Sequence, residues 1–261
     1  MDANDFFYKK GDKTVGGRIA LRKFERFESL LMKTLSRSTG IAVDVGANIG
    51  YYSLILADRF SKVIAYEPEP ENFWLLKKNV KANEIKNIQM VQRAVSDGTA
   101  LLQLGLSDSN PGDHQIESEE NGRRVIKVKA STLDDDIKSK VSFLKIDTQG
   151  WEPKVILGAQ KIISRDLPTI FMEFWPAGYK RSSLDYMQMI GYLESVYGKI
   201  YLIDDYLQLV YPVQAKTLEK RCLNKKGYVD LLFMRRPTWS DKWQFIKRFR
   251  VKNWVKSLLK I

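Results

Sequence analysis

The segment Ile41-Ala-Val-Asp-Val-Gly-Ala-Asn-Ile-Gly50 decides the fold. A compact run of apolar, mostly β-branched residues carries Asp44 to its carboxyl end. Gly46 lets the chain turn tightly, and Gly50 opens the next stretch without a side chain in the way. Tyr51–Phe60 then has the apolar spacing of a buried helix. A strand, a glycine turn and a helix in this order form the unit that brings backbone amides to a ligand at the switch point of a parallel sheet.

Outward from this unit the alternation continues. Lys62–Tyr66 is a second β-branched run, and Glu69–Asn83 places Phe73, Leu76 and Val80 on one helical face with Lys77, Lys78 and Lys81 elsewhere. Ile88–Val91, Val141–Ile146 and Thr169–Phe174 read as further strands, and Pro153–Ser164 as a helix with proline in its first turn. Alternating strands and helices imply parallel strands joined by right-handed crossovers, hence a doubly wound α/β sheet. Ala100–Leu106 and Arg124–Ala130 alternate like exposed strands around the polar segment Ser107–Gly122, which predicts a hairpin-like insertion around 100–130 with a mobile loop. Lys199–Ile203, Gln208–Tyr211 and Tyr228–Met234 read as strands that close the sheet with an antiparallel edge. Three regions follow: a basic helical segment over 1–40, the main domain over 41–236, and a basic amphipathic tail over 237–261.

The ligand of the glycine turn can be narrowed by chemistry. A phosphate-binding P-loop needs Gly-Lys-Ser/Thr, but Gly50 is followed by Tyr51-Tyr52. The spacing Gly46-x-x-x-Gly50 also departs from the dinucleotide pattern, and Asp44 is an awkward neighbour for pyrophosphate. Glu67 ends the second strand, 23 positions beyond Asp44, where an acid accepts hydrogen bonds from two ribose hydroxyls. A ribose, a cationic amino-acid moiety and no phosphate describe S-adenosylmethionine (SAM).

Four ordered motifs carry a family resemblance: Val43–Ser53 (VDVGANIGYYS), Ile64–Phe73 (IAYEPEPENF), Ala94–Asp97 (AVSD) and Leu144–Val155 (LKIDTQGWEPKV). Together they resemble the FkbM family of SAM-dependent methyltransferases. The resemblance implies a class I methyltransferase (Rossmann-like) fold and O-methylation, usually of a sugar or natural-product hydroxyl. It implies cofactor roles for Asp44, Gly46, Ala47, Asn48, Gly50 and Glu67, with Ala94 beside the adenine and Asp97 near it. One departure stands out: many members have Asp-Val-Glu-Gly where this chain has Asp147-Thr-Gln-Gly150, and Gln149 cannot act as a base.

Methyl transfer to an alcohol needs alignment of the acceptor oxygen and a base for its proton. His114, in the loop Asn110-Pro-Gly-Asp-His-Gln, is one candidate, because imidazole titrates near neutrality. Asp147 ends the fourth strand of the parallel set and faces the ligand crevice, so it is expected to orient the acceptor, accept its proton or hold a divalent cation. Glu173 ends the fifth and is expected to border the acceptor pocket or form a structural ion pair. Glu152 is read as a helix-start carboxylate, and Asp134-Asp135-Asp136 as a helix cap; no cluster has metal-ligand spacing.

Charge is unevenly placed. The net +12 comes from nine Lys/Arg against five acids in 1–40 and nine against one in 235–261, while 41–234 carries 25 of each. A neutral body argues against a groove that tracks a polyanion, so nucleic acid is not an expected partner. In the tail, Val251, Trp254, Val255 and Leu258 oppose Lys252, Lys256 and Lys260, which suits an anionic membrane surface touched through 239–261. One cysteine, Cys222, excludes a disulfide framework, and no apolar run reaches membrane-spanning length. The chain is thus expected in the cytoplasm, peripheral on the inner face of a membrane, acting on a saccharide-containing acceptor. Two alternatives stand beside this reading. One is an RNA 2′-O-methyltransferase using Asp147 with lysines and glutamates such as Lys154 and Glu194. The other is a non-catalytic SAM-fold adaptor docking through its tail.

Overall fold

The computed structural model describes residues 6–35, 40–116 and 123–234. The predicted tail, 237–261, and residues 117–122 of the insertion loop lie outside them. Helices α1 (Gly16–Ala20) and α2 (Arg26–Leu35) precede β1 (Ile41–Val45), α3 (Tyr51–Ala57), β2 (Lys62–Tyr66), α4 (Pro70–Ala82) and β3 (Ile88–Val91). The insertion comprises β4 (Ala94–Val95), β5 (Ala100–Leu106), β6 (Gln115–Ile116) and β7 (Arg124–Ser131). It is followed by α5 (Leu133–Asp136), β8 (Val141–Ile146), α6 (Glu152–Leu157), α7 (Gln160–Asp166) and β9 (Thr169–Phe174). The chain continues through α8 (Pro176–Arg181), α9 (Tyr186–Tyr197), β10 (Ile200–Asp204), β11 (Leu209–Val213), α10 (Leu218–Leu223) and β12 (Val229–Phe233).

The main sheet has the order β11-β10-β12-β9-β8-β1-β2-β3. β3, β2, β1, β8 and β9 are mutually parallel, as the strand–helix alternation requires. β12 runs against both β9 and β10, and β11 closes the edge antiparallel to β10. The sheet therefore closes on the expected antiparallel edge, and β12 is a second reversed strand set between β9 and β10.

Side chains alternate across the sheet, and this period of two sorts the core. Val43, Val45, Leu144 and Ile146 face α6, α7 and α9, packing on Val155, Ile163 and Ile190. Ala42, Val63, Phe143, Phe171 and Leu232 face α2, α3 and α4, packing on Leu31, Leu54 and Leu76. Asp44, Lys145, Glu173 and Asp230 share the parity of this second set. The sheet thus carries a polar seam where its second face meets the carboxyl ends of the strands.

The helix expected over 153–164 is two helices. A Cβ at Gly158 would fall 1.9 Å from the Ser96 carbonyl oxygen, so the chain closes on the insertion there and restarts. The Asp134 carboxylate caps the restart by accepting from the Lys161 and Ile162 amides at 3.0 and 2.9 Å. The insertion is a sheet of its own, β4-β7-β5-β6, with a small core of Leu104, Leu106, Val128 and Ala130. The N-terminal segment packs on the body: Ile19 joins Ile49 and Leu75, while Asn79 bonds the backbone of both Phe7 and Ile49.

Candidate active site

A cleft of about 430 Å³ opens at the carboxyl ends of β1, β2, β8 and β9, within the size range of small-molecule sites. Its walls come from the glycine turn, residues 14–25, the insertion loop 110–116, the 145–151 segment and Trp175, with Lys226 and Tyr228 across from them.

The donor half is built by backbone. Gly46 and Gly50 adopt φ of +77° and +94°, and Asn48 a left-handed φ of +51°. A Cβ on Gly46 would lie 1.9 Å from the Asp147 carbonyl oxygen and one on Gly50 2.5 Å from Leu76, so both glycines are demanded by protein packing. Glu67 accepts the Asn48 amide at 2.8 Å and the Glu69 amide at 2.9 Å. Burial raises its carboxyl to about 7, against the pull of those two amides. Tyr66, Ala94, Val95, Leu104, Ile116 and Trp151 supply an apolar slot beside it. The insertion loop forms a roof, held where the Asn48 and Asn72 side chains donate to the Pro111 carbonyl at 3.2 and 3.0 Å.

The acceptor half is built by side chains. Lys145 is buried, its ammonium 3.6 Å from Asp44 Oδ1 and 3.3 Å from Asp147 Oδ2, and 5.1 Å from the Tyr52 ring centre. Burial works against that charge, but Asp147, Asp44 and Glu25 more than offset it and push the lysine above its ordinary range. Gln149 donates from one amide nitrogen to Asp147 Oδ1 at 2.8 Å and to Glu173 Oε2 at 3.3 Å. An amide can thus bridge two carboxylates where the glutamate common in the family would add a third. Burial first, then Asp147, Glu152, Asp230 and Glu25, raise the Glu173 carboxyl well above normal, favouring its protonated form. Glu25 accepts from the Tyr52 hydroxyl and is raised to about 7 by burial and by Asp147.

Several expected site residues stand elsewhere. Asp44 is fully buried beneath the turn, accepting from Ser53 Oγ at 2.6 Å, and does not line the cleft. Among the described residues its Oδ1 accepts no hydrogen bond, and Lys145 stands 3.6 Å from it. Its place is a support for the cleft, because its strand parity points it at α3. Gly50 likewise shapes the turn from below. Asp97 faces outward and pairs with Lys154 at 2.7 Å. With Lys154 paired there and Glu194 exposed on α9, neither of these two residues lines the cleft. Glu152 turns back to accept the Thr148 and Gly150 amides at 2.7 and 3.1 Å, a lock on the turn after β8. His114 lines the cleft, but its Nδ1 accepts the Ser107 amide at 3.0 Å, which leaves the neutral ring protonated on Nε2. Burial lowers its pKa, opposed by Glu69 and Asp113. In this state the ring is a donor and its lone pair is committed.

Glycine turn, partner acid and carboxylate-lined floor lie on one sheet edge, in the order of the four sequence motifs. A family model for the methyltransferase FkbM domain matches residues 44–201. The chain belongs to the FkbM methyltransferase family. It is 23% identical over 180 residues to the methyltransferase sdnD of Sordaria araneosa, covering 55% of this chain and 70% of that one. It is 25% identical over 141 residues to Methyltransferase 1 of Beauveria bassiana, covering 44% and 57%. Among solved structures, the methyltransferase FkbM from Methylobacillus flagellatus superposes with a TM-score of 0.50 at 20% identity, over 75% of this chain. This chain spans 43% of that one.

The donor half of this FkbM domain fits SAM. A carboxylate has about four lone-pair positions, and Glu67 uses two on backbone amides, leaving two for a ribose diol. The slot beside it is apolar, as an adenine requires. Asp230 and Glu25 lie outside the four motifs, and Lys145 and Tyr52 lie inside them with no role assigned from the sequence. For Lys145 a sequence signal did exist: a lysine inside the otherwise apolar strand Val141–Ile146, at the parity of Asp44.

Proposed function

We propose that the protein transfers the methyl group of SAM to a hydroxyl of a saccharide-containing acceptor, with Asp147 as the base. Bound SAM would supply an electrophilic methyl carbon; the chain's own residues supply position and proton handling. The carrying observation is the placement of Asp147: its carboxylate reaches the cleft floor, braced by Lys145 on one oxygen and Gln149 on the other. That bracing fixes the oxygen geometry, which in-line displacement rewards. The acceptor oxygen would bond the methyl carbon as the carbon–sulfur bond breaks, its electron pair leaving with S-adenosylhomocysteine, and the hydroxyl proton would pass to Asp147.

The surrounding chemistry supports this acceptor class. Trp175, Tyr228, Gln149 and Glu173 offer a flat apolar surface beside planar polar groups, a match for a ring with one C–H face and several hydroxyls. Glu173 in its protonated form donates as well as accepts. Burial raises Glu25 and Asp230 as well, so this half offers carboxyl groups that can donate, a lining suited to an uncharged polyhydroxyl acceptor. His114 Nε2–H is a donor available at the roof.

The test is Asp147→Asn. Loss of a positioned base is expected to lower kcat roughly 10²–10⁴-fold while affinity for S-adenosylhomocysteine, measured by calorimetry, stays within about twofold. A variant with unchanged kcat on any accepted saccharide would remove Asp147 from the role. Mass spectrometry that found the methyl on nitrogen or carbon would remove the acceptor class.

A further inference from the structure

One surface is unexplained by methyl transfer. α4 buries Phe73, Leu76 and Val80, and its opposite face should be polar. Instead Trp74 stands 52% exposed there, with Lys77, Lys78 and Lys81 at the following i+3, i+4 and i+7 positions. Residues 6–10 lie alongside, fastened by Asn79 to the Phe7 backbone, and add Phe7 at 46% and Tyr8 at 39% exposure. The Lys78 ammonium sits 3.8 Å from the Trp74 ring centre and 5.4 Å from that of Phe7. Lys9 is neutralised by Glu71 at 3.0 Å; Lys10, exposed beside it, adds to the positive side.

We infer that this face, formed by α4 and residues 6–10, docks on an anionic lipid bilayer. Half-exposed aromatics ringed by lysines suit the headgroup boundary, where rings enter and ammonium groups stay at phosphate level. A second copy of the face would oppose its lysines to one another. A stacking nucleobase would compete for the Trp74 face that Lys78 already covers. α4 reaches the cleft through Asn72, and the chain following residues 6–10 reaches it through Thr14, Val15 and Arg18. The inference does not depend on the reaction proposed above.

The experiment is co-sedimentation of the full chain with phosphatidylcholine vesicles, with and without phosphatidylglycerol. Each lysine near an anionic surface contributes about 1 kcal/mol, so the triple variant Lys77→Gln/Lys78→Gln/Lys81→Gln is expected to bind the anionic vesicles roughly 100-fold more weakly. Phe7→Ser/Trp74→Ser should weaken binding as well. Both variants change exposed side chains, and S-adenosylhomocysteine affinity should stay at the wild-type value. Wild-type binding by the triple variant, equal binding of the wild type to neutral vesicles, or no vesicle binding at all would each overturn the inference. So would single-stranded RNA displacing the vesicles through the same lysines.

Discussion

The two halves of the cleft are built on different principles. The donor half is a local object: a turn of five residues whose amide meets one glutamate on the adjacent strand, so its geometry is carried by backbone. The acceptor half is assembled from side chains on the N-terminal segment, α3, β1, β8, β9 and β12, and strand parity turns the four strand members to one face. A local object tolerates loss of one side chain with a local penalty. A charge cluster assembled at long range does not, since each member's ionisation is set by the others.

The sharpest test of that contrast is Lys145→Met. It leaves Asp44 buried without compensation, and breaking a buried pair from one side typically costs about 3–5 kcal/mol. Denaturant unfolding should show a loss of that size. In Asp44→Asn/Lys145→Met, where neither charge remains, most of it should return. Equal stability of the single and double variants would mean that Asp44 and Lys145 are not coupled.

Glu67→Ala is the donor-side counterpart. Two hydrogen bonds from a ribose to a carboxylate are expected to be lost, together with the brace on the Asn48 and Glu69 amides. The predicted drop in S-adenosylhomocysteine affinity is about 10–100-fold by calorimetry, with kcat at saturating cofactor nearly unchanged. A fall in kcat with intact affinity would merge the two halves.

Proton linkage spans both. Glu67, Glu25 and Glu152 are each raised by burial from an ordinary 4.5 to about 7. The folded protein therefore binds more protons than the unfolded chain between those values, and stability must fall as pH rises from about 4.5 to 7. The expected loss is read as a lower Tm at pH 7.5 than at pH 5.5. Glu67→Gln should flatten only the donor share of that slope.

This division also explains how much was legible in the sequence. Gly46, Asn48, Gly50 and Glu67 announce themselves because a turn and the acid that meets it are fixed by spacing along the chain. The parallel sheet was legible for the same reason, through β-branched runs alternating with helical periods. Asp147 and Glu173 could be named as strand ends. Lys145, Asp230 and Glu25 could not be joined to them, because that needs the strand order and the registers Asp44↔Lys145 and Glu173↔Asp230. The break at Gly158 had no local signal either, since its cause is the Ser96 carbonyl on the far side of the insertion.

The smallest effect is expected at Asp97, which the family resemblance brings near the adenine and the fold turns away. Its side chain is 39% exposed and held by Lys154, with a further bond from Ser96 Oγ at 3.1 Å. An exposed pair of this kind contributes about 1 kcal/mol or less. Asp97→Ala should therefore alter stability by no more than that, and S-adenosylhomocysteine affinity by less than about twofold. A tenfold loss of affinity would require the 94–97 segment to swing inward when the cofactor binds, exchanging the Lys154 pair for an adenine contact. The donor half would then be a moving assembly of side chains like its neighbour, and the contrast between the two would fail at its most exposed point.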